Sequence, residues 1–317
     1  MEKKYIKTFI LLISFISLIN TKFNLRSNTN DIENNLPDLG WISHRLVYEN
    51  HLIKNFEHSS FRVIESDDGN FRSNIITITK LNNKVDIIAV FRGTEISLIW
   101  NLWADFNVTP TRLKGLCEDC QVHMGFYDAY QYLKEKFIIN LTEEIILQTK
   151  NGKEINNIYF TGHSLGGSIA TIAAYDFLNR RAAEDLTDKY FKLMKNISLI
   201  TFGSPRVGVI EFKDFFEKKD LLRDNIRVVY GEDVVPDLVA GYPLSFYRHC
   251  GDFVYFPQNN FDNPLIFERN EVDTWVRPGG ILDKLNFPQK IKDHSKYSLL
   301  SVKGLEYAIN KLREQRK

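Results

Sequence analysis

The sequence predicts an α/β fold in which a central, mostly parallel β-sheet has helices on both faces. Short β-branched and aromatic segments alternate with helical segments, an order that is typical of parallel sheets. These strand segments are apolar along their length, as expected when both faces are covered. The 317 residues, 44% apolar and 26% charged, contain no linker rich in Pro, Gly or Ser. We therefore expect one domain over residues 21–317.

The first predicted elements are a β-hairpin and a long helix. Two apolar segments, residues 75–79 and 85–92, flank the polar turn at residues 82–84. Apolar residues then recur near helical spacing over residues 130–150, with lysines and glutamates between them. This second pattern predicts an amphipathic helix.

The remaining elements continue the alternation of strand and helix. We predict strands over residues 157–161, 197–202, 226–230 and 252–256. We predict helices over residues 168–178, 211–218 and 304–317. The strand at 252–256 is expected to be antiparallel, near the edge of the sheet. The last helix ends in basic residues, which suits the negative end of a helix dipole.

A serine flanked by glycines lies between the strand at 157–161 and the helix at 168–178. This is the pattern of a nucleophile elbow, in which a serine on a sharp turn exposes its hydroxyl above a sheet. The turn strains the backbone at Ser164, and side chains at Gly162 and Gly166 would collide with the neighbouring strand and helix. We interpret Ser164 as a catalytic nucleophile; the alternative is a plain glycine-rich turn.

A catalytic serine needs a base to take its proton and a carboxylate to hold that base. In elbow-type sites the acid and then the histidine follow the serine along the chain. The histidines after Ser164 are His249 and His294. Asp233 is the favoured acid because it follows the strand at 226–230, and catalytic residues lie beyond the carboxyl ends of parallel strands. The other candidate acids are Asp224, Asp237, Asp252 and Asp293.

Six short motifs, in their order along the chain, resemble those of the class 3 lipase family of fungal triacylglycerol lipases and related feruloyl esterases. They are Val-Phe-Arg-Gly-Thr at 90–94, Val-His-Met-Gly-Phe at 122–126, Thr-Gly-His-Ser-Leu-Gly-Gly at 161–167, Thr-Phe-Gly-Ser-Pro-Arg at 201–206, Asp-Val-Val-Pro at 233–236 and Asp-His-Ser-Lys-Tyr at 293–297. The resemblance covers roughly residues 40–300 and, taken together, the motifs are highly specific.

The resemblance implies an α/β-hydrolase fold with Ser164 as nucleophile, Asp233 as the orienting acid and His294 as the base. It settles the choice of His294 over His249, because His249 falls in a segment that resembles a family region outside the triad. It also implies that no cofactor is required. We interpret the other histidines near the motifs as structural: His123, His163 and His249.

The resemblance further implies an oxyanion hole and a lid. One oxyanion donor is the backbone N–H of Leu165, and the second is Thr94, through its N–H and its hydroxyl. The segment after Thr94 corresponds to a short lid helix over the active site, although a core helix is the alternative. Its apolar residues are Ile96, Leu98, Ile99, Trp100, Leu102 and Trp103.

The N-terminal residues lie outside the resemblance and have the layout of a secretory signal peptide. Three lysines precede an apolar run at residues 8–19, which Asn20 ends. We expect residues 1–20 to be this signal, with an uncleaved anchor as the alternative. Secretion would make N-glycans possible at Asn107 and Asn140, whereas Asn196 begins a strand that looks buried.

The chain contains three cysteines, an odd number. Cys117 and Cys120 are close in sequence, with His123 three residues further on. We expect a local disulfide rather than a zinc site, because zinc would need a fourth ligand, either His249 or Cys250, brought in by distant folding. Cys250 is then the free thiol.

These observations predict a secreted serine hydrolase that cleaves the ester bonds of lipids at an oil–water or membrane interface. The alternatives are a phospholipase A1, an esterase for soluble aromatic esters such as feruloyl esters, and a non-catalytic lipid-binding protein. The net charge of +1 argues against a nucleic-acid partner. Acyl length and head group depend on the shape of the pocket and are not predicted.

Overall fold

An eight-stranded β-sheet forms the centre of the computed structural model. The structure describes residues 61–67, 71–79, 82–93, 109–115, 117–182, 196–218, 221–239, 246–267, 292–297, 300 and 302–316. The strands of this sheet are β1 (Phe61–Asp67), β2 (Arg72–Thr79), β3 (Lys84–Phe91), β6 (Glu154–His163), β7 (Ile197–Phe202), β8 (Asp224–Tyr230), β9 (Asp252–Phe256) and β10 (Leu265–Phe267). A separate small sheet pairs β4 (Pro110–Arg112) with β5 (Gln121–His123).

The central strands of the large sheet run parallel, in the order β3, β6, β7, β8 and β9. Antiparallel strands complete both edges, β1 and β2 at one and β10 at the other. The predicted mostly parallel sheet is therefore confirmed. The expectation that residues 252–256 are antiparallel is wrong, because β9 pairs parallel with β8 and carries β10 on its outer side. Strand β10 is only three residues long, Leu-Ile-Phe at 265–267, which is too short for a pattern of alternation to predict it from the sequence.

The predicted hairpin is present as β2 and β3, which pair antiparallel. Asn82 and Asn83 lie in its turn with φ of 58° and 62°. Two successive positive φ values match the twist of the flanking strands, and asparagine tolerates this conformation better than most residues. The polar turn at residues 82–84 therefore has a local physical cause.

The helices begin earlier than the sequence pattern indicates. They are α1 (Met124–Lys150), α2 (Leu165–Ala182), α3 (Ile210–Lys218), the short α4 (Val235–Leu238) and α5 (Val302–Gln315). The first turns of α1 and α2 contain Gly125, Gly166 and Gly167. Because glycine has a low helix propensity and no side chain, the apolar periodicity does not predict these first turns as helical. Packing against the sheet stabilises them.

Helices cover both faces of the sheet, as predicted. On one face α1, α2 and α3 contribute to a large core with the aromatic residues Phe126, Phe137, Phe160, Phe177 and Phe212. On the other face α5 packs Leu305, Ile309 and Leu312 against strand residues. Arg313 of α5 also forms a bidentate pair with the buried carboxylate of Asp224, with distances of 2.9 and 2.7 Å. This pair fixes the C-terminal helix to the amino end of β8.

A disulfide joins Cys117 to Cys120 just before β5, as predicted. The two sulfurs are bonded to each other, so they are not thiolate ligands of a metal. Cys250 is a free cysteine and is half-buried. Within the described ranges, no three or more His, Cys, Asp or Glu side chains are grouped as metal ligands would be.

Several predicted features lie outside the described residues. They are the signal peptide at residues 1–20, Thr94, the lid residues between 96 and 103, and Asn107. In the part of the chain that the structure describes, no helix has both the length and the apolar character needed to cross a membrane.

Candidate active site

The predicted nucleophile lies at the junction of β6 and α2. Strand β6 ends at His163, helix α2 begins at Leu165, and Ser164 between them is buried with a φ of 60°. A left-handed conformation at a serine costs about 1–3 kcal/mol and persists only where the surroundings impose it. The backbone N–H of Ser164 donates a 2.9 Å hydrogen bond to the Phe202 carbonyl at the end of β7. This bond holds the strained residue at the carboxyl edge of the sheet.

The glycines around Ser164 are required by close backbone contacts. A Cβ atom on Gly162 would collide with the backbone of Gly166, and one on Gly166 would collide with the carbonyl of Phe91. A Cβ on Gly167 would lie 2.7 Å from the Cβ of Ser204. The collisions expected at 162 and 166 are therefore confirmed: the first helical turn packs directly on β3 and β6.

Asp233 and His294, which are far apart in the sequence, meet at the same edge of the sheet. The His294 Nδ1 lies 2.8 Å from Asp233 Oδ2, and both side chains are fully buried. Asp233 follows β8 and also accepts a 2.9 Å bond at Oδ1 from the N–H of Val235. The structure thus selects His294 and Asp233 from the candidates as a hydrogen-bonded pair.

The pairing fixes the tautomer of His294. The Asp233 carboxylate accepts a hydrogen bond from Nδ1, so Nδ1 carries the proton. In the neutral ring Nε2 is then unprotonated. Nε2 is buried and has no hydrogen-bond partner among the described residues. A serine hydroxyl would donate its hydrogen bond to an acceptor nitrogen of this kind.

Tyr297 is a site residue whose role the sequence did not reveal, although it belongs to the motif at 293–297. Its hydroxyl donates a 2.6 Å hydrogen bond to Asp233 Oδ2, the oxygen that also faces His294. The same hydroxyl accepts a 3.2 Å bond from the backbone N–H of Tyr230. Tyr297 therefore links the acid to the end of β8 and restricts the rotation of its carboxylate.

The remaining candidate acids have other partners. Asp293, next to the base, accepts bonds from the Glu232 N–H at 3.0 Å and from Lys296 at 2.9 Å, so it fastens the histidine loop to the loop after β8. Asp237 lies 3.4 Å from Arg206. Asp224 and Asp252 begin β8 and β9, at the amino edge of the sheet, and pair with Arg313 and Arg316. Neither can reach a base at the opposite edge.

The other histidines near the motifs are buried. His163 donates from Nε2 to the carbonyl oxygen of His294 at 2.8 Å. His123 stacks on Phe126, with ring centroids 4.2 Å apart. Burial lowers the pKa of His123 to about 4, so its ring is neutral at neutral pH. His249 borders a small cavity together with Cys250, and Asp233 is not among the residues that line it.

The surroundings of Ser164 also include a source of positive potential. Leu165 is the first residue of the 18-residue helix α2, whose N-terminal N–H groups point toward the turn. Phe91, the last residue of β3, lies in register with Gly162, so the chain that leads to Thr94 leaves the sheet beside the elbow. Both predicted oxyanion donors therefore belong to segments that adjoin Ser164, although Thr94 itself is outside the described residues.

The sheet, its flanking helices and the elbow define an α/β-hydrolase. Residues 88–242 match the family described as lipase (class 3). This match spans 155 of the 317 residues and confirms the resemblance to class 3 lipases that the motifs indicated.

Known proteins similar to this chain support both statements. It is 32% identical over 166 residues to phospholipase A(1) DAD1, chloroplastic, of Arabidopsis thaliana, covering 50% of this chain and 34% of that protein. It is 32% identical over 177 residues to phospholipase A1-II 1 of Oryza sativa subsp. indica, covering 52% and 42%. The chain thus spans less than half the length of these relatives. The triacylglyceride lipase of Rhizomucor miehei has a similar fold, with a TM-score of 0.60 at 21% identity, over 86% of this chain and 96% of that one.

Proposed function

We propose that the protein is a serine hydrolase that cleaves carboxylic ester bonds of lipids through an acyl-enzyme. One observation carries this proposal: the buried Asp233–His294 pair, 2.8 Å apart, lies at the sheet edge where Ser164 occupies a strained turn. The match of residues 88–242 to the class 3 lipase family supports a lipid ester as the substrate. A buried acid–histidine pair beside an elbow serine has few structural purposes and matches the needs of nucleophilic catalysis.

The first half of the reaction forms the acyl-enzyme. Ser164 Oγ attacks the ester carbonyl carbon while His294 Nε2 accepts the hydroxyl proton. Asp233 keeps the ring in the tautomer that leaves Nε2 free, and it stabilises the imidazolium that forms. The imidazolium then gives its proton to the leaving alcohol as the tetrahedral intermediate collapses.

The negative charge of the intermediate requires preorganised donors. The N–H of Leu165, at the start of α2, is one of them, and the helix dipole adds to its effect. The second proposed donor is Thr94. Loss of one such donor typically lowers turnover by about 100- to 1000-fold.

The second half returns the enzyme to its starting state. The alcohol leaves, and a water molecule takes its place beside His294. Nε2 accepts a proton from this water, which attacks the acyl carbon, and the imidazolium then returns the proton to Ser164 Oγ as the acid is released. The chain's own side chains supply every proton transfer in this scheme.

A phospholipase A1 is the second candidate, because the relatives from Arabidopsis and rice carry that name. A feruloyl-type esterase remains the third enzymatic alternative. A non-catalytic lipid-binding protein is disfavoured, because such a protein would not need a strained Ser164 next to a hydrogen-bonded acid and base.

A hydrolysis panel tests these functions. Emulsified triglyceride, phosphatidylcholine, a short-chain nitrophenyl ester and a feruloyl ester are each offered to the wild type and to Ser164→Ala. We expect release of fatty acid from an emulsified or membrane lipid that Ser164→Ala abolishes. Preference for the feruloyl ester would favour the third alternative. Equal background rates for the two proteins on all four substrates would refute catalysis.

We further propose that the chain is a single hydrolase domain over residues 21–317 that enters the secretory pathway through residues 1–20. The disulfide between Cys117 and Cys120 supports an oxidising compartment. We propose N-glycans at Asn107 and at Asn140, which lies half-buried on α1. Asn196 instead donates its amide to the carbonyl of Asn156 at 2.9 Å. A mass shift after glycosidase treatment of secreted protein tests both sites, and an unchanged mass contradicts them.

A further inference from the structure

A pocket of about 340 Å³ lies between β5 and the start of α3. We call it the β5–α3 pocket. The residues that line it include Asp119, Gln121, Ile210, Glu211, Phe246 and Arg248. None of them takes part in the chemistry proposed above. Its volume falls in the range of pockets that bind small molecules.

The floor of the pocket is a rigid piece of hydrogen-bonded backbone. Gly208 forms bridges to Val122 of β5 on one side and to Arg248 on the other. The Val209 N–H donates to the Gln121 carbonyl at 3.0 Å, and the Arg248 N–H donates to the Gly208 carbonyl at 2.7 Å. The Cys117–Cys120 disulfide closes the turn that carries Asp119. The backbone that carries these lining residues is therefore fixed before any ligand arrives.

The start of α3, which lines the pocket, lies toward the same edge of the sheet as Ser164, because α3 connects the parallel strands β7 and β8. Strand β7 ends at Phe202, in register with His163 next to the nucleophile. Gly203 follows and packs so closely that a Cβ there would lie 2.7 Å from Asp233 Oδ2. The chain then reaches Ile210 within seven residues, a span of at most about 25 Å. A lipid surface presented to Ser164 can thus extend over this pocket.

The lining combines charges of both signs with exposed apolar side chains. Asp119 and Glu211 are exposed, and neither forms a salt bridge with another described residue. Arg248 adds a guanidinium at the same pocket. Phe246 is 76% exposed and Ile210 is 41% exposed, so both apolar side chains are accessible to a ligand at this pocket.

We infer that the β5–α3 pocket binds the head group of a zwitterionic phospholipid, such as phosphatidylcholine, at the membrane surface. The guanidinium of Arg248 pairs with the phosphate. The carboxylates of Asp119 and Glu211 and the ring of Phe246 attract the quaternary ammonium, the ring through a cation–π contact. Aromatic side chains such as Phe246 also favour the membrane–water boundary. This inference deepens the proposed function, on which it rests for the lipid surface.

The charges also predict which head groups are rejected. Two carboxylates and one guanidinium give the lining a formal charge of −1, so an anionic head group without an ammonium is repelled. The protein should therefore prefer phosphatidylcholine vesicles to phosphatidylglycerol vesicles. A surface that contacted lipid through apolar side chains alone would not make this distinction.

The test measures binding of the Ser164→Ala protein to vesicles by sedimentation, so that no lipid is hydrolysed during the experiment. We expect Phe246→Ala to weaken binding to phosphatidylcholine by about tenfold, the scale of one cation–π contact with partial insertion. Glu211→Lys should reverse the preference toward phosphatidylglycerol. The matched control is Tyr307→Ala, which removes an aromatic side chain that is 53% exposed on α5, on the opposite face of the sheet. It should change binding by less than about twofold.

Two outcomes would overturn the inference. They are equal binding of the parent protein to both vesicle types, and equal effects of Phe246→Ala and Tyr307→Ala. Unchanged thermal unfolding of Phe246→Ala establishes that a loss of binding is not a loss of fold. If the wild type hydrolyses no ester but still binds phosphatidylcholine vesicles selectively, the proposed function is wrong and the inference about the pocket is supported.

Discussion

The imidazole of His163 lies against that of His294, with ring centroids 4.3 Å apart, and its Nε2–H donates a 2.8 Å hydrogen bond to the His294 carbonyl oxygen. His163 immediately precedes Ser164 in the elbow. The residue next to the proposed nucleophile therefore positions the backbone and the ring of the proposed base. This contact joins the end of β6 to the loop of residues 292–297, across a long stretch of sequence.

The first prediction concerns the triad. Ser164→Ala or His294→Ala should lower turnover by about a million-fold, and Asp233→Asn by about ten-thousand-fold, because the three act as a unit. Ester hydrolysis measured at saturating substrate checks this. His249→Ala is the control and should retain activity. Organophosphate labelling of a serine other than Ser164, or inactivation by His249→Ala instead of His294→Ala, would show that the assignment is wrong.

The second prediction concerns Tyr297. Tyr297→Phe keeps the buried ring but removes the 2.6 Å hydrogen bond to Asp233 and leaves the Tyr230 N–H without its acceptor. We expect a loss of about 1–3 kcal/mol in the free energy of unfolding and a fall of about tenfold in kcat. Urea denaturation and initial rates measure the two effects. Tyr307→Phe, on the exposed face of α5, is the matched control, and equal effects for the two variants would contradict the role of Tyr297.

The third prediction concerns acid stability. His123 is buried and its pKa is lowered to about 4, whereas the unfolded chain protonates its histidines near pH 6.5. Between these values the unfolded state binds more protons, so the stabilisation present above about pH 6.5 is lost as the pH falls to about 4. The loss from this residue is at most about 3 kcal/mol. Below about pH 4 it adds no further change.

Urea denaturation at pH 7 and at pH 4.5 measures this effect. His123→Gln should be less stable than the wild type at pH 7, because it loses the stacking on Phe126. Its free energy of unfolding should nevertheless fall less between the two pH values than that of the wild type. An identical fall in both proteins would mean that His123 does not titrate as described.

The fourth prediction concerns the disulfide. Mass mapping without reduction should find Cys117 linked to Cys120 and Cys250 as the free thiol. Because the closed loop is short, Cys117→Ser with Cys120→Ser should lower the free energy of unfolding by only about 2 kcal/mol. Cys250→Ser is the control for loss of a thiol alone. Stoichiometric zinc that only a chelator removes would contradict the disulfide.

The fifth prediction concerns the lid proposed between Ile96 and Trp103. An apolar helix that opens at a lipid surface could bury several hundred Å², a favourable contribution of several kcal/mol at about 25 cal/mol per Å². Such a contribution shifts an equilibrium between closed and open forms that differ by a few kcal/mol. Activity on a short-chain ester should therefore rise sharply once the ester exceeds its solubility.

Charged variants of this segment complete the test. Trp100→Asp or Ile99→Asp should blunt the rise at the solubility limit and leave hydrolysis of the dissolved ester largely intact. A smooth saturation curve for the wild type would favour a soluble esterase instead. Loss of folding in the charged variants would assign the segment to the core.

Features of short range could be predicted from the sequence because their causes are local. The hairpin turn follows from two asparagines that tolerate positive φ, and the strand β7 was predicted at its observed bounds from an apolar run. The elbow around Ser164 was predicted because glycine is required wherever backbone segments touch. The disulfide was predicted because Cys117 and Cys120 are close in sequence and zinc would need a fourth ligand brought in by distant folding.

The tertiary structure alone decided which distant residues meet. From residue types and chain order, His249 and His294 were both candidate bases, and the family resemblance settled the choice for His294 without showing its contacts. The parallel order of β6, β7 and β8 brings Asp233 to His294, and Tyr297 to the same carboxylate, because the carboxyl ends of these strands share one edge. The same strand order makes β9 parallel, against expectation. Side-chain periodicity predicts which face of a helix or strand is buried, but it does not predict which other element packs beside that helix or strand.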